Sequence, residues 1–371
     1  MMKTIYHISR LLLGITFVFS GFVKGQDPLG TMFKIEDYLI AYGWDWALPF
    51  ALVLAILLCT AEFTIGAGLI LNYQTKLMHW LVLLFMLFFT AITFYDALYN
   101  PIADCGCFGD AIKLTNWQTF YKNIVLLALV ALLFYSSHKA NMPSRRKTTL
   151  FIATAIVFAG FSIWSYVHLP VIDFLPWKKG NSISSLNPQS SEYFVKYRNK
   201  TTGEEKEFPA NNFPYNDSVW MSQWEFVNSR TVNHSSSIDY HLMITDTAGN
   251  DVSAYYLNYP DFLFIATIYN LQSAPDKALK KLSRFIENAE LEGYTCIILT
   301  SALLEDIDNF AQKYSISAQI FNADDIILKM MVRANPGLML IKNGIVIDKW
   351  NVKSLPDYSR IAKKYLNLTD S

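Results

Sequence analysis

Charged side chains are scarce in this chain of 371 residues: Asp, Glu, Lys and Arg make up 17%, against roughly 25% in an average soluble domain. A basic surplus is absent too. The 31 Lys+Arg are balanced by 31 Asp+Glu, which excludes a nucleic-acid binder that must neutralise phosphates. Four cysteines in such a length exclude a disulfide-framework scaffold. No phosphate loop, Gly-rich dinucleotide fingerprint or HExxH metal motif occurs, and the six histidines are scattered. Apolar residues, by contrast, are abundant at 52%, too many for a disordered chain. The charges are spread unevenly. Residues 1–170 hold 11 Lys+Arg and 8 Asp+Glu, whereas residues 171–371 hold 20 and 23. The first part reads as membrane and the second as a soluble domain with its own core.

Five apolar stretches mark the membrane part: Ile5–Val23, Ala47–Leu71, Leu77–Leu98, Phe120–Tyr135 and Leu150–Leu169. Most approach the roughly 20 residues a helix needs to cross a bilayer. The shortest, Phe120–Tyr135, has Trp117 and Tyr121 as interfacial anchors. With Lys3 and Arg10 at its basic end, the first stretch also fits a secretory leader. No small-x-small cleavage site follows it and further spans come after, so it is read as a retained span. With the N-terminus cytoplasmic, the inner segments carry Lys3, Arg10, Lys76, Lys139, Arg145, Arg146 and Lys147 and no acidic residue. The outer segments then carry four basic and seven acidic residues, which obeys the positive-inside rule. Everything after Leu169 is expected on the outer side, the periplasm of a bacterium, with the spans in the inner membrane.

The loop between the third and fourth stretches reads Asp104-Cys105-Gly106-Cys107-Phe108-Gly109-Asp110. It places two of the four cysteines one residue apart on the oxidising side. A pair this close forms only a tight ring, and strained exposed disulfides tend to be labile and catalytic. Gly106 and Gly109 supply the backbone freedom such a ring needs. The open alternatives are a structural or vestigial pair, or half a metal site. No histidine lies near in sequence to complete a zinc set, and no metal is expected. An ionised Glu62, in the middle of the second stretch, costs several kcal/mol unless protonated, paired or facing a polar cavity. Its readings are an interhelical hydrogen bond, a proton relay, or a partner for Lys24. Lys24 near the cysteines favours thiolate, while Asp104 and Asp110 oppose it. Lys122 stands where it could approach the same loop. Cys59, amid apolar neighbours, reads as a small buried hydrophobe.

Arg10-Leu11-Leu12-Leu13-Gly14 leading to Ser20-Gly21-Phe22-Val23-Lys24, Glu62 in the second stretch, and the motif Asp104–Gly109 together carry a resemblance. On them, residues 1–137 resemble the DoxX/MauE group, four-helix membrane bundles linked to thiol redox work. The layout is similar to that of the quinone-coupled thiol oxidoreductases of the disulfide-bond and vitamin K epoxide reductase families. Those carry CxxC where this chain has CxC. Quinone is the cofactor that the resemblance implies.

Residues 138–170 are expected to form a cytoplasmic loop and a fifth transmembrane helix, and residues 171–260 an outer linker with accessory strands at Glu192–Tyr197 and Tyr240–Thr245. Residues 261–371 alternate: strand Phe262–Tyr269, helix Asp276–Leu291, strand Thr295–Thr300, helix Ala302–Tyr314, strand Ala318–Asn322 and helix Asp325–Arg333. Strands Leu338–Ile341 and Ile345–Lys349 close the series across Lys342-Asn343-Gly344. This predicts a mixed α/β sheet ending in a hairpin. The order, with Pro336 before the hairpin, resembles a thioredoxin-like domain of the membrane-anchored periplasmic type, and Pro336 matches that family's cis-proline. Where the family has Cys-Gly-Pro-Cys-Lys, this chain reads Ser273-Ala274-Pro275-Asp276-Lys277. With Ser273 and Asp276 in place of cysteines, no dithiol reaction is possible there. Cys296 falls within a strand and reads as core.

Two functions of different class fit. One is a membrane thiol–disulfide redox protein: Cys105 and Cys107 exchange electrons with a periplasmic thiol or disulfide protein, which the redox-silent domain binds. The other is a non-enzymatic envelope scaffold that anchors and docks partner proteins. A channel or transporter fits less well, because no inverted repeat or broken-helix pair is visible.

Overall fold

The computed structural model of the chain describes residues 2–73, 75–102, 104–136, 145–183, 192–209, 214, 218–232 and 242–366. Lys139 lies outside them, as do Tyr240 and His241 at the start of one expected strand. Helix α1 is Met2–Gln26. Helix α2, Pro28–Ala41, follows at once, an element absent from the sequence reading. It starts there because the Asp27 carboxylate accepts the Gly30 amide at 3.0 Å and Pro28 takes the first helical position. After a 3₁₀ turn at Asp45–Phe50 come α3 (Ala51–Ile70), α4 (Thr75–Tyr99), α5 (Asn116–Ser136) and α6 (Arg145–His168). Apart from α2, all are long and apolar enough to cross a membrane, α3 together with its preceding turn. Helix α5 begins four residues before its apolar stretch. Thr115 and Gln118 exchange reciprocal side-chain-to-amide bonds at 3.0 and 3.2 Å, a capping box that fixes its polar first turn.

Helices α1 and α3 touch backbone to backbone. A Cβ at Gly21 would lie 2.5 Å from the Phe63 nitrogen and 2.9 Å from the Cys59 oxygen, and one at Gly66 would lie 2.6 Å from the Val18 nitrogen. Small residues at such crossings let membrane helices gain van der Waals contact, which is what holds them together where water supplies no hydrophobic drive. Leu13, Met78, Val82, Val130 and Leu133 fill the bundle core around this crossing. Trp44, Trp46, Tyr99, Tyr121 and Tyr135 are exposed near the helix ends, where aromatic residues anchor a bundle at the bilayer surface.

Beyond α6, β1 (Glu192–Asn199), β2 (Glu205–Pro209) and β3 (Trp224–Val232) form an antiparallel sheet in the order β2-β1-β3, with α7 (Ser218–Gln223) before β3. A short α8 (Ser253–Leu257) leads into the larger sheet. Its elements are β4 (Phe262–Ile268), α9 (Asp276–Leu291), β5 (Thr295–Thr300), α10 (Leu304–Tyr314), β6 (Gln319–Asn322), α11 (Asp325–Met331), β7 (Gly337–Lys342) and β8 (Ile345–Asn351). The C-terminal α12 (Tyr358–Ile361) runs on into a wider turn at Ala362–Leu366. The order is β6-β5-β4-β7-β8, with β4, β5 and β6 parallel and the β7–β8 hairpin antiparallel. The Asn335–Pro336 bond before β7 is cis. This is the mixed α/β sheet with a closing hairpin expected from the alternation, and the cis-proline stands where the thioredoxin-like resemblance implied it.

Strand β4 is buried on both sides, so Leu263 and Ile265 face one core while Phe264, Ala266 and Ile268 face the other. Helix α9 covers the second with Leu279, Leu282, Phe285 and Ile286, one apolar face at helical spacing. The first is completed by Trp177, Ile183, Leu242 and Ile244, all fully buried and all from before Pro260. Helix α11 stops at Met331, two residues short of expectation, because Val332 turns extended (φ −138°, ψ 124°).

Candidate redox site

The loop after α4 is held in shape by its own short-range bonds. Gly106 and Gly109 sit at φ +62° and +52°, the left-handed region that glycine enters without Cβ strain. Asp104 Oδ1 accepts the Gly106 amide at 2.9 Å, and the Gly109 amide donates to the Gly106 carbonyl at 2.9 Å. In this conformation Cys105 and Cys107 form a disulfide, their Cα atoms 5.5 Å apart. The other Asp104 oxygen accepts Lys34 Nζ at 3.3 Å, so helix α2 props the loop from the side. Asn116, buried at the start of α5, donates to the Ile102 carbonyl at 3.0 Å and fixes the loop's entry.

Below the disulfide lies an ion pair. Lys24 Nζ stands 2.6 Å from Glu62 Oε1, and both side chains are 7% exposed. Ser20 Oγ, one turn earlier on α1, is 3.0 Å from Glu62 Oε2 and 2.7 Å from the Cys107 carbonyl oxygen. A hydroxyl owns a single proton. Ser20 therefore either donates to one acceptor at a time, or donates to Cys107 while a protonated Glu62 donates to it. The buried carboxylate and the cysteine loop are thus linked through one hydroxyl. Lys122 Nζ lies 4.5 Å above the Phe108 ring, a cation–π contact on the other side of the loop. Of the sequence-predicted supporting residues, Lys24, Glu62, Asp104 and Lys122 all surround the pair.

Both cysteines line a cavity of about 830 Å³ that runs down between α1, α2, α4 and α5. Its walls are mostly apolar, including Phe17, Phe89, Ile92 and Leu126, with Lys24, Glu62 and Lys122 among the polar lining. The wall opposite the bundle belongs to the α/β domain: Ile326, Lys329, Met330 and Arg333. Arg333 is the residue the sequence reading missed. Its side chain is 8% exposed, with Nε 3.0 Å from Asp27 Oδ2 and Nη2 2.6 Å from Asp110 Oδ2. Asp110 therefore serves the domain contact at the end of the cysteine loop. The one sequence signal for Arg333 was its place three residues before Pro336.

Ser273 and Asp276 stand apart from the cysteines and outside the cavity wall. Asn335, next to cis-Pro336, donates to Ser273 Oγ at 3.1 Å and to the Asn270 carbonyl at 2.7 Å. Asp276 opens α9, paired with Lys280 at 2.7 Å and accepting from the Tyr314 hydroxyl at 2.8 Å. The two other cysteines are buried and free, Cys59 in α3 and Cys296 in β5. Burial pushes the Cys296 thiol up to about 12. At pH 8 about one molecule in ten thousand then carries the thiolate that alkylating reagents attack. Native protein treated with a maleimide at pH 7–9 is expected to show no adduct on Cys296 by peptide mass spectrometry, and full modification once denatured. Native labelling at a rate that climbs from pH 7 and levels off towards pH 9 would show an ordinary thiol.

Among the described residues, five helices long and apolar enough to cross a membrane, with a cysteine pair in the loop after α4 and a mixed α/β domain over it, define the class: a membrane protein carrying an α/β domain. Residues 2–136 match the family described as methylamine utilisation protein MauE, so the first four spans form a MauE-family domain. No curated protein matches the chain. Among solved structures, the chain is similar over 35% of its length to a thiol:disulfide interchange protein from Bacteroides sp., with 88% of that chain covered, 14% identity and a TM-score of 0.29. It is similar over 33% to BsSco, a member of the Sco family of cytochrome c oxidase assembly proteins, with 87% of that chain covered, 13% identity and a TM-score of 0.28.

Proposed function

We propose that this is a thiol–disulfide exchange protein of the bacterial inner membrane, with its N-terminus cytoplasmic and its α/β domain periplasmic. The observation that carries the reading is the Cys105–Cys107 disulfide at the cavity wall, bonded through Ser20 to the buried Lys24–Glu62 pair. A thiolate of a periplasmic protein attacks one sulfur of the disulfide, a mixed disulfide forms, and the other cysteine leaves as thiolate and takes up a proton. The partner's second thiol then attacks the mixed disulfide. The partner departs oxidised, and Cys105 and Cys107 remain as a dithiol. Two electrons have entered the pair, and the same steps reversed would return them. The α/β domain, with Ser273 and Asp276 where a dithiol would stand, takes no part in the electron transfer and serves to hold the partner at the membrane.

A lasting cycle needs an acceptor or donor for those two electrons. The cavity fits a quinone by size and lining, with Phe89, Ile92 and Leu126 to hold an apolar ring and tail and Lys24 and Lys122 beside them. A quinone there would supply two-electron, two-proton chemistry.

The test is a Cys107→Ser variant of the full chain in its own membranes. A mixed disulfide between Cys105 and a periplasmic protein is expected on non-reducing gels, and is to be lost when Cys105 is replaced as well. If no adduct forms with either single variant, and cells lacking both cysteines behave as wild type, the exchange reading is wrong and the scaffold reading takes its place.

A further inference from the structure

Besides the paired bonds of Gln26 with the Ile172 backbone, both 2.8 Å, which pin the connecting segment to α1, the α/β domain meets the bundle in two places of different character. One adjoins the covalent connection. Asn351 Nδ2 donates to the Tyr166 carbonyl at 3.1 Å, Ser354 Oγ to the Val167 carbonyl at 3.1 Å, and Lys353 Nζ to the Tyr166 hydroxyl at 2.8 Å, all at the end of α6. The other lies across the cysteine loop. There Arg333 bridges Asp27, which starts α2, and Asp110, which ends the loop. Beside it the Phe33 ring meets Tyr269 edge-on at 5.7 Å, with Lys329 Nζ 5.1 Å above Phe33.

We propose that the α/β domain is a hinged cap over the Cys105–Cys107 pair, with Arg333 as its latch, and that a folded partner reaches the disulfide only when the latch opens. The inference rests on the exchange reading and adds its control. A cavity of about 830 Å³ is of small-molecule size. It admits a small thiol or the tip of a loop, but not a folded domain that must bring a sulfur in line with the disulfide. The wall to be moved is α11 and Arg333, which belong to the domain.

The latch is built to part. It is chiefly ionic, and its three charged groups regain water on separation, which offsets much of the attraction lost. The contacts at the end of α6 are local to the chain connection, so the domain can swing on them without leaving. Arg333 also satisfies the Lys329 carbonyl at 3.0 Å, so its guanidinium is held in place from the domain side and released from the bundle side.

The experiment measures access rather than redox turnover. Full-length protein carrying Cys59→Ala and Cys296→Ala is reduced in native membranes. It is then labelled with N-ethylmaleimide, or with a maleimide on a polyethylene glycol chain of protein size. With Arg333 intact, the small reagent is expected to react readily and the large one slowly. Arg333→Gln should speed the large reagent by about tenfold and leave the small one nearly unchanged, because opening limits only the former. Asp110→Asn carries the same expectation should Arg333→Gln fail to accumulate, and the swap Arg333→Asp with Asp110→Arg should slow the large reagent again. Equal rates for the two reagents in the unlatched and latched proteins would overturn the cap. A faster large reagent together with no captured partner would leave the cap standing and refute the exchange reading instead.

Discussion

Glu62→Ala is expected to lower the apparent melting temperature of the full chain in detergent by on the order of 10 °C, as follows from a loss of about 3–5 kcal/mol. The reason is the lysine left behind. Lys24 is 7% exposed, its ammonium 2.6 Å from the carboxylate that Glu62→Ala removes. A buried charge without its partner costs far more than the pair contributes when complete. Glu62→Gln keeps an acceptor for Lys24 and for Ser20, and should fall between. Lys24→Met combined with Glu62→Leu removes both charges and should recover most of the loss, since buried pairs are often replaceable by apolar residues of similar volume. A double variant no more stable than Glu62→Ala would refute the pairing argument.

The same double variant separates structure from chemistry. If it folds and forms mixed disulfides at the normal rate, the ion pair serves only to join α1 and α3. If it folds and exchange is slowed, the Ser20–Glu62 link takes part in moving the proton of the leaving thiol.

How much of this was legible in the sequence depended on range. The α9 and β5 boundaries agree with the spacing alone, because an amphipathic face and a buried run are local patterns. The true start of α5 was also written locally, in Thr115 and Gln118, but a hydropathy reading does not see a capping box. Helix α2 was missed for a related reason: Pro28–Ala41 mixes polar and apolar residues, with no span-length run to mark it, although Asp27-Pro28 is a helix-start signal. Glu62 and Lys24 stand out because a membrane makes charge conspicuous, and their pairing is one of the readings that the sequence supports. Arg333 does not stand out. It bonds Asp27 across 306 residues of chain and Asp110 across 223, and in a soluble stretch one more arginine carries no mark of where it will dock. The cysteine motif marks the candidate site, while the α/β domain's contact with it through Arg333 is visible only in the fold.

Gly21→Leu is expected to prevent the bundle from assembling, with little folded protein recovered from membranes. Gly21 lies in the run Ser20-Gly21-Phe22-Val23-Lys24, and the atoms its Cβ would strike are backbone: the Phe63 nitrogen at 2.5 Å and the Cys59 oxygen at 2.9 Å. Backbone has no rotamer by which to yield, so the helices must separate. Even Gly21→Ala should open the crossing by about 1 Å and forfeit a large part of the dispersion contact along α1 and α3. That separation falls one turn from Lys24 and directly beside Ser20, so it also stretches the bonds to Glu62 and to the Cys107 carbonyl. The control is Gly160→Leu on α6, an exposed glycine with no atom within 4 Å of its would-be Cβ, which should insert and fold normally. Detergent size-exclusion profiles of the variants decide the matter. A Gly21→Leu protein eluting and melting as the parent does would mean that α1 and α3 do not meet at this glycine. The ion pair beneath the cysteines would then need another arrangement to bring it together.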